Sequence, residues 1–449
     1  MYKKIINKLK DKNIAILGFG REGKSTYNFI RKYLKEQILT ILDKNEITLS
    51  NPFTKIITGN SYLDDLEKYD LIIKSPGISL KDIDYHRFED KITSQLELTL
   101  EVFSKNIIGI TGTKGKSTTS SLMYQVLKDQ GHDVYLLGNI GKPIFDDIEN
   151  FTINTTLVIE MSSHQLEFIH NSPHIAVILN LFQDHLDHAG SLEHYHNNKM
   201  NIFKYQGSND YCLYFDDDSY LTEKMARSMF PSIKYNIRFD DEKKSLNAVR
   251  IKNNKIYLAD KLLYEDKKRK LLGDQNLKNI MFIVTIAQIL NLDLEKTATT
   301  ISNFKGLKYR MEYIGTYSGI SYYNDTIATI PEATISAVAA LKNVDTLIFG
   351  GLDRKIDYNS FINFLISSTI SNLICMPTTG TKIGKILKEK SDKKIYFVNT
   401  LEEAYKIAKN ITKKKHSCLL SPAAASYEYF KNFEEKGKYF ENIVKNNSN

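Results

Sequence analysis

The segment with the clearest chemical signature is TGTKGKST, which follows the apolar run Ile107–Ile110 and precedes a helical stretch. A lysine between a glycine and a serine at a helix start is typical of phosphate-binding loops. There, backbone N–H groups and the ammonium hold the β- and γ-phosphates, while a hydroxyl ligates Mg²⁺. The loop is shorter than GxxxxGK[ST], because Ile110 stands five positions before Gly115. We predict that it binds ATP through Gly112, Thr113, Lys114, Gly115, Lys116, Ser117 and Thr118.

A second glycine loop lies near the N-terminus, where Ile14–Leu17 runs into GFGREG, with glycines at Gly18, Gly20 and Gly23. A GxGxxG pattern after a strand and before a helix lets the backbone approach a phosphate at the helix N-terminus. Asp43 follows about 20 residues later, where a carboxylate accepts from ribose hydroxyls in nucleotide-binding folds. The pattern predicts a nucleotide-bearing ligand; a turn that serves only packing is the alternative.

Two such loops do not fit a simple dehydrogenase, which needs one. They indicate one domain for a nucleotide-bearing substrate and another for ATP.

Acidic and histidine side chains follow two further apolar runs. Leu157–Ile159 ends at Glu160, and Ala176–Leu179 leads into QDHLDH, which contains His185. Carboxylates and imidazoles at the ends of parallel strands beside a phosphate loop are placed to ligate Mg²⁺. Glu160 and His185 are therefore candidate metal ligands, with a transition-metal cluster in QDHLDH as the alternative. We expect His188, His194 and His196, as histidines of the following helix, to lie at the surface.

These loops need elements that position them. Short β-branched runs alternate with helical stretches along the 449 residues, which predicts parallel βαβ units. We predict an α/β fold of three domains in series. Residues 1–97 form a Rossmann-like domain. Residues 98–303 form a P-loop ATPase-like parallel sheet with a small antiparallel sheet between about Tyr235 and Leu272. Residues 304–449 form a Rossmann-like α/β domain.

Composition excludes several classes of protein. The net charge of +8 is spread over the chain, so no nucleic-acid partner is expected. The three cysteines are far apart, which indicates a reduced, cytoplasmic protein. The chain shows neither a signal peptide nor an apolar run of about 18 residues, so no membrane insertion is expected. Without a long heptad or an exposed apolar stripe, we expect a monomer.

The motifs together resemble the Mur ligases along nearly the whole chain. They occur in that family's order: GITGTKGKSTTSSL, EMSSHQLE, LNLFQDHLDH with Lys199, LLGDQNLKNI, LKYRME, YNDTIAT, GGLDR and LLSPAAASYEYFKNFEEKG. The last three are most similar to those of the glutamate-adding members. The resemblance implies ATP-driven addition of D-glutamate to UDP-N-acetylmuramoyl-L-alanine through an acyl phosphate, in cytoplasmic peptidoglycan synthesis. It further implies two Mg²⁺ ions and a role in cell shape and division.

The resemblance also assigns roles to individual residues. It implies catalytic roles for Lys116, Glu160, His185 and Lys199, and metal ligation by Ser117, Glu160, His185 and Lys199, with Lys199 carbamylated. Further ATP contacts are implied at Asn276, Arg310 and Asp325. Contacts to the UDP substrate are implied at Gly18, Gly20, Arg21, Glu22, Gly23, Asp43, Ser75, Gly77, Asn139 and Gln165. Contacts to glutamate are implied at Thr329, Arg354, Ser426 and Phe433.

Three positions depart from the family pattern. Lys114 stands where Asn is commoner, and His164 stands where Phe is usual. Ile327 replaces the lysine of NDSKATN, and Pro331-Glu332 follow. Because these changes resemble those of L-glutamate-adding ligases, addition of L-glutamate is the first alternative.

Two further alternatives come from other classes of protein. A folylpolyglutamate-synthase-like ligase would share the central loop but gives no reason for GFGREG. A non-catalytic nucleotide-binding protein would not need Lys116, Glu160, His185 and Lys199.

Overall fold

The computed structural model describes residues 1–181, 191–240, 246–271, 273–341, 343–353, 357–426 and 430–447. The chain divides into two compact units, Met1–Phe304 and Lys305–Asn449. The first unit contains two β-sheets and the second contains one, and helices connect the parallel strands of each. The predicted α/β class is confirmed, while the domain boundaries near residues 97 and 303 stay predictions.

The first sheet is wholly parallel in the order β3-β2-β1-β4-β5. Its strands are β1 (Ile14–Leu17), β2 (Leu39–Asp43), β3 (Thr54–Thr58), β4 (Leu71–Lys74) and β5 (Ile92–Thr93). Its helices are α1 (Lys3–Leu9), α2 (Arg21–Tyr33) and α3 (Gln95–Phe103). Every residue of β1 is buried, as expected for the apolar central strand of a covered sheet. The strand order reverses beside β1, so a crevice opens where β1 and β4 end.

The second sheet has nine strands in the order β14-β13-β12-β11-β10-β9-β6-β8-β7. Its strands are β6 (Ile107–Thr111), β7 (Val134–Gly138), β8 (Thr156–Glu160), β9 (Ile175–Ile178), β10 (Tyr211–Phe215), β11 (Ile233–Ile237), β12 (Ala248–Lys252), β13 (Lys255–Leu258) and β14 (Lys261–Glu265). The described helices around it are α4 (Lys116–Asp129), α5 (Leu192–Lys204), α6 (Ser219–Arg227), α7 (Asp274–Ile289) and α8 (Leu294–Asn303).

The predicted small antiparallel sheet is attached to the edge of this sheet. β12 pairs with β11 in parallel through Asn236 with Ala248 and Ile237 with Val249, and β13 and β14 continue antiparallel from β12. The sequence pattern could show the two hairpin strands but not the strand on which they dock. The antiparallel strands are therefore the edge of the central sheet.

The sheet of the second unit has the order β15-β16-β20-β17-β18-β19, and only β15 runs antiparallel to its neighbour. Its strands are β15 (Glu312–Tyr317), β16 (Ile320–Asn324), β17 (Val344–Phe349), β18 (Asn372–Cys375), β19 (Lys394–Phe397) and β20 (Ser417–Leu420). Its helices are α9 (Pro331–Leu341), α10 (Asn359–Ser367), α11 (Thr379–Lys390), α12 (Leu401–Ile411) and α13 (Phe433–Asn446).

None of the helices that the structure describes combines the length and the apolar composition required to cross a bilayer.

Gly23 fixes the path of the first glycine loop. A Cβ atom on Gly23 would lie 1.9 Å from the carbonyl oxygen of Gly18, so the first turn of α2 presses directly on the backbone that leaves β1. Gly20, in the same loop, has nothing within 4 Å of the corresponding position. The two glycines therefore differ in function: Gly23 is needed for packing and Gly20 is not.

We expect Gly23→Ala to lower the free energy of unfolding by about 2 kcal/mol, because the added methyl group must displace backbone. Gly20→Ala is the matched control, and it should change that free energy by less than about 0.5 kcal/mol. Urea denaturation of both variants checks the difference, and equal midpoints would contradict the close packing.

Candidate functional site

The loop after β6 is held in a closed turn by its own lysine and by the neighbouring strand. Nζ of Lys116 donates to the carbonyl oxygens of Gly112 at 2.8 Å and Thr113 at 3.0 Å. Asn180, just after β9, accepts from the amide of Lys114 at 2.8 Å and donates to its carbonyl at 2.9 Å. Gly115 caps α4 with a φ of +89°, a conformation that favours glycine. The loop thus leads into the N-terminus of α4, where N–H groups can bind phosphate.

Lys199 lies beside this loop and is buried. Its side chain projects from α5, which Ser191 caps by accepting from the amide of His194. Nζ of Lys199 donates to the carbonyl of Gly112 at 3.0 Å and lies 4.8 Å from the ring centroid of Tyr195. Lys199 is 1% exposed, so it is not a surface lysine. Lys116 and Lys199 therefore converge on the same carbonyl oxygen.

Glu160, the last residue of β8, is a buried carboxylate on the strand that pairs with β6, from which this loop leaves. It pairs in register with Ile110 of β6 and is fully buried. Its Oε1 accepts from Nδ2 of Asn139 at 2.7 Å. Its Oε2 is buried and has no hydrogen-bond partner in the part of the chain that the structure describes. Asn139, predicted to contact the substrate, therefore holds Glu160.

The side-chain oxygen atoms of Glu160 and Ser117 suit a hard cation as ligands. A buried carboxylate oxygen without a hydrogen bond is costly unless a cation or a proton compensates it. Mg²⁺ prefers oxygen ligands and needs only one or two from the protein when a nucleotide supplies the others. The hydroxyl of Ser117 lies buried in the first turn of α4. His185 lies outside the described residues, which contain no cluster of three or more His, Cys, Asp or Glu suited to a metal.

The N-terminal part of α7 completes the surroundings of the loop. Asn276, a predicted ATP contact, accepts from Nδ2 of Asn279 at 3.5 Å. Asn279 is 2% exposed, and its Oδ1 would lie 2.9 Å from a Cβ on Gly115. Within the described residues that oxygen has no hydrogen-bond partner. Sequence analysis missed Asn279, although its spacing of three residues from Asn276 places both on one helical face.

Two predicted substrate residues outside the first glycine loop, Asp43 and Ser75, stabilise that loop. Oδ2 of Asp43 accepts from the amide of Phe19 at 2.7 Å, and its Oδ1 accepts from the amide of Asn45 at 2.8 Å. Oγ of Ser75, just after β4, donates to the carbonyl of Gly18 at 2.9 Å. The ends of β1, β2 and β4 are thus neighbours: Asp43 and Ser75 contact the loop that contains Gly18, Gly20, Arg21, Glu22 and Gly23, and Gly77 follows two residues after Ser75.

The first loop also contacts the segments that follow β7 and β8. Arg21 donates to the carbonyl of Gly141 at 2.8 Å. Gln165, which is 7% exposed, lies close enough to Glu22 to lower the pKa of that carboxyl. Burial raises the pKa of Glu22 to about 7, against the opposing charges of Lys74 and Arg21. Within the first unit, the predicted substrate residues therefore form one continuous surface. Sequence analysis missed Lys74, whose part in it depends on tertiary contact.

The prediction that His188, His194 and His196 lie at the surface was wrong for His196, which is 6% exposed, and His188 lies outside the described residues. Nε2 of His194 lies 3.3 Å from Oε1 of Glu167. The face of α5 that buries Lys199 also covers His196, since helical residues three or four apart share a face.

Asp325 is the best-fixed polar side chain among the predicted residues of the second unit. It follows β16 and is 4% exposed. Its Oδ1 accepts from the amide of Met311 at 3.0 Å, and its Oδ2 accepts from Oγ of Ser421 at 2.7 Å. Burial raises the pKa of Asp325 to about 6, and these two hydrogen bonds and the charge of Arg310 oppose that shift. Arg310 itself is exposed.

The residues predicted to bind the substrate glutamate lie after strands of the same sheet or at the start of a helix. Thr329 follows β16, Ser426 follows β20, and Phe433 begins α13. The carbonyl of Phe433 accepts from Oγ1 of Thr326 at 3.0 Å. Oγ of Ser426 is buried and has no hydrogen-bond partner among the residues described. Arg354 lies outside the described residues.

Comparisons with known sequences find similarity to ligases along nearly the whole chain. The family description "Mur ligase middle domain" matches residues 110–287. The UDP-N-acetylmuramoylalanine–D-glutamate ligase of Clostridium botulinum strain Langeland is 32% identical, over 99% of this chain and 98% of that protein. The ligase of the same name from Caldanaerobacter subterraneus subsp. tengcongensis is also 32% identical, over 97% of this chain and 98% of that protein.

Comparisons with solved structures show the same fold. MurF ligase from Thermotoga maritima, in complex with ADP, aligns with a TM-score of 0.58 at 17% identity, over 98% of this chain and 97% of that one. UDP-N-acetylmuramate-alanine ligase MurC from Thermotoga maritima aligns with a TM-score of 0.54 at 18% identity, over 97% of this chain and 100% of that one.

We expect Lys116→Met to weaken ATP binding by about 10-fold or more, because a charge-assisted hydrogen bond to phosphate is lost. Binding of AMP should change far less, since the predicted contacts of Lys116 are to the terminal phosphates. Calorimetric titration measures both nucleotides. The control is Lys128→Met, an exposed position in the last turn of α4. Undiminished ATP affinity in Lys116→Met would contradict the assignment of the loop.

We expect Glu160→Gln to lower Mn²⁺ affinity in the presence of ATP by at least about 10-fold, because the buried ligand loses its charge. Electron paramagnetic resonance of bound Mn²⁺ measures the change. Glu97→Gln is the matched control, because Glu97 is equally buried but accepts from the amide of His170 and from Asn171. Equal Mn²⁺ affinity in the two variants would reject Glu160 as a ligand.

Proposed function

The chain belongs to the Mur ligase family of ATP-dependent ligases, and we propose that it adds D-glutamate to UDP-N-acetylmuramoyl-L-alanine in peptidoglycan synthesis. The proposal rests on near-full-length similarity to ligases named for this reaction. It also rests on the two nucleotide-type loops, each at the point where the strand order of its sheet reverses. The family resemblance inferred from the motifs is confirmed.

The reaction needs phosphate activation because a carboxylate is a poor electrophile. The carboxylate of the alanyl group attacks the γ-phosphorus of ATP, so that ADP leaves and an acyl phosphate forms. The amine of glutamate then attacks the acyl carbon, and the tetrahedral intermediate collapses with loss of phosphate. The amine gives up its proton, and the products are the amide, ADP and phosphate.

Both steps develop negative charge, and residues of the first unit can stabilise it. Lys116 and the N-terminal amides of α4 would bind the transferring phosphoryl group. Glu160 and the hydroxyl of Ser117 would hold Mg²⁺, with His185 as the further ligand predicted from the sequence. Bound Mg²⁺ would neutralise charge on the phosphate oxygens.

One observation carries this proposal: two buried or half-buried lysines meet at the carbonyl of Gly112, beside a buried carboxylate. Lys116 and Lys199 both donate to that carbonyl oxygen. Glu160 ends the strand paired with β6, two residues before Gly112 along the register. Three charged groups around a phosphate loop suit phosphoryl transfer, and a packing role alone does not explain them.

Lys199 is proposed to act as a carbamate. Addition of CO₂ to its amine, with loss of a proton, would replace a buried cation by an anion. Such an anion suits a second Mg²⁺. The burial of Lys199 and its distance of 3.0 Å to the carbonyl of Gly112 support this proposal.

The glutamate is proposed to bind in the second unit. Thr329, Ser426 and Phe433 follow strand ends or begin a helix there, and the sequence adds Arg354. The unpaired hydroxyl oxygen of Ser426, judged within the described residues, supports a ligand contact. Ile327, which stands where a lysine is usual, keeps L-glutamate as the alternative substrate.

Asn276, Arg310 and Asp325 are proposed as further ATP contacts. The chain is also proposed to act as a monomer in the cytoplasm.

We expect sustained release of phosphate from ATP only when UDP-N-acetylmuramoyl-L-alanine and glutamate are both present, because the acid is needed to form the acyl phosphate and the amine is needed to displace phosphate from it. A coupled phosphate assay with each substrate omitted in turn checks this. Equal turnover without either substrate would reject the ligase.

A paired assay with D- and L-glutamate decides the stereochemistry of the substrate. We expect kcat/KM to favour D-glutamate by about 100-fold or more, because the wrong enantiomer leaves buried polar groups unpaired. Chiral analysis of the hydrolysed product identifies the residue added. A preference for L-glutamate would assign Ile327 and its neighbours to an L-specific pocket.

A further inference from the structure

Lys74 is a buried lysine to which neither the motifs nor the proposed mechanism gives a role. It is the last residue of β4, directly before Ser75 of the substrate surface, and it is 4% exposed. Its Nζ lies 3.3 Å from Oε2 of Glu167 and 5.5 Å from the ring centroid of Phe168. Burial lowers the pKa of Lys74, and the charges of Glu167 and Glu22 oppose that shift.

The two carboxylates near Lys74 come from two different substrate-binding elements. Glu22 lies in the first turn of α2, within the first glycine loop. Glu167 lies in the segment after β8, two residues beyond Gln165. Ser75, the residue after Lys74, donates from Oγ to the carbonyl of Gly18 at 2.9 Å, so the end of β4 contacts both the first glycine loop and the Gln165 segment.

The connection extends to the helix that carries Lys199. Oε1 of Glu167 lies 3.3 Å from Nε2 of His194, in the first turn of α5. Nδ2 of Asn201, on the same helix, donates to the carbonyls of Leu166 at 3.0 Å and Glu167 at 3.4 Å. A displacement of Glu167 would therefore change contacts both at the end of β4, beside the first glycine loop, and at α5.

We propose that Lys74 is a positioning residue for the sugar-nucleotide substrate. Its ion pair with Glu167 holds the Gln165 segment against the end of β4, where Ser75 contacts the first glycine loop, so that the loop and the segment present their contacts to one ligand at a fixed distance. The side chain of Lys74 is only 3% exposed, so it acts through its neighbours and does not touch the ligand. This inference rests on the proposed function.

Lys74→Met is expected to raise KM for UDP-N-acetylmuramoyl-L-alanine by about 10- to 100-fold, because misplaced contacts lose binding energy. KM for ATP and kcat at saturation should stay within about threefold of wild type, since the loop after β6 keeps its own contacts. Steady-state kinetics with each substrate varied in turn gives these values. The control is Lys105→Met, which breaks an ion pair with Asp210 at 2.6 Å and should leave all three values unchanged.

A double variant separates positioning from packing. Lys74→Met alone leaves Glu167 buried and without its cation, which costs stability. Lys74→Met with Glu167→Gln removes both charges and should return the thermal midpoint towards wild type, while KM for the sugar nucleotide stays raised. Recovery of both the midpoint and KM would show that the pair serves only packing and would overturn the inference. An unchanged KM in the single variant would overturn it as well.

Calorimetry of wild-type protein with UDP-N-acetylmuramoyl-L-alanine distinguishes this inference from the function on which it rests. Absence of binding to wild type would reject the proposed function and the inference with it. Binding to wild type with equal binding to Lys74→Met would reject the inference alone.

Discussion

The position of β6 between β8 and β9 is the constraint on which the rest of the site depends. Parallel pairing brings the carboxyl ends of all three strands to one edge, so the residues that follow them must be neighbours. Glu160 ends β8 opposite Ile110 of β6, and Asn180 after β9 makes hydrogen bonds with Lys114 in the loop that leaves β6. The same rule operates in the first sheet, where Ser75 after β4 contacts Gly18 after β1. Each loop gains its partners from strands that are distant in sequence.

The hydrogen bonds of the buried carboxylates distinguish those that stabilise the protein from the one that is suited to bind a ligand. Asp43 accepts from two backbone amides, and Asp325 accepts from an amide and a hydroxyl, so each uses both oxygens within the protein. Glu160 uses one oxygen on Asn139 and keeps the other buried without a partner among the described residues. Protein interiors satisfy nearly all buried polar atoms, so this oxygen supports the proposal that Glu160 is a cation ligand.

Sequence could predict those parts of the fold and site that depend on local pattern. Buried β-branched runs predicted the strands of the parallel sheets, and the two glycine loops were recognisable from residues within one turn and one helix. The docking of β12 on β11 was not predictable, because edge pairing leaves no local signal. Lys74 and Asn279 were missed for a related reason. A single buried lysine or asparagine has no motif, and its role depends on chain segments that only folding brings together.

The charges around Lys74 show how such a network constrains the first unit. Burial raises the pKa of Glu22 to about 7, above its ordinary value of 4.5, so the ionised form is disfavoured in the fold. The folded state therefore holds its proton where the unfolded chain has lost it, and this group's contribution to stability falls as pH rises between those values. The positive charge of Lys74 opposes the rise in the pKa of Glu22. Burial lowers the pKa of Lys74 itself. Retaining a buried lysine and two carboxyl groups where apolar packing would be more stable fits the proposal that they hold two binding elements in place.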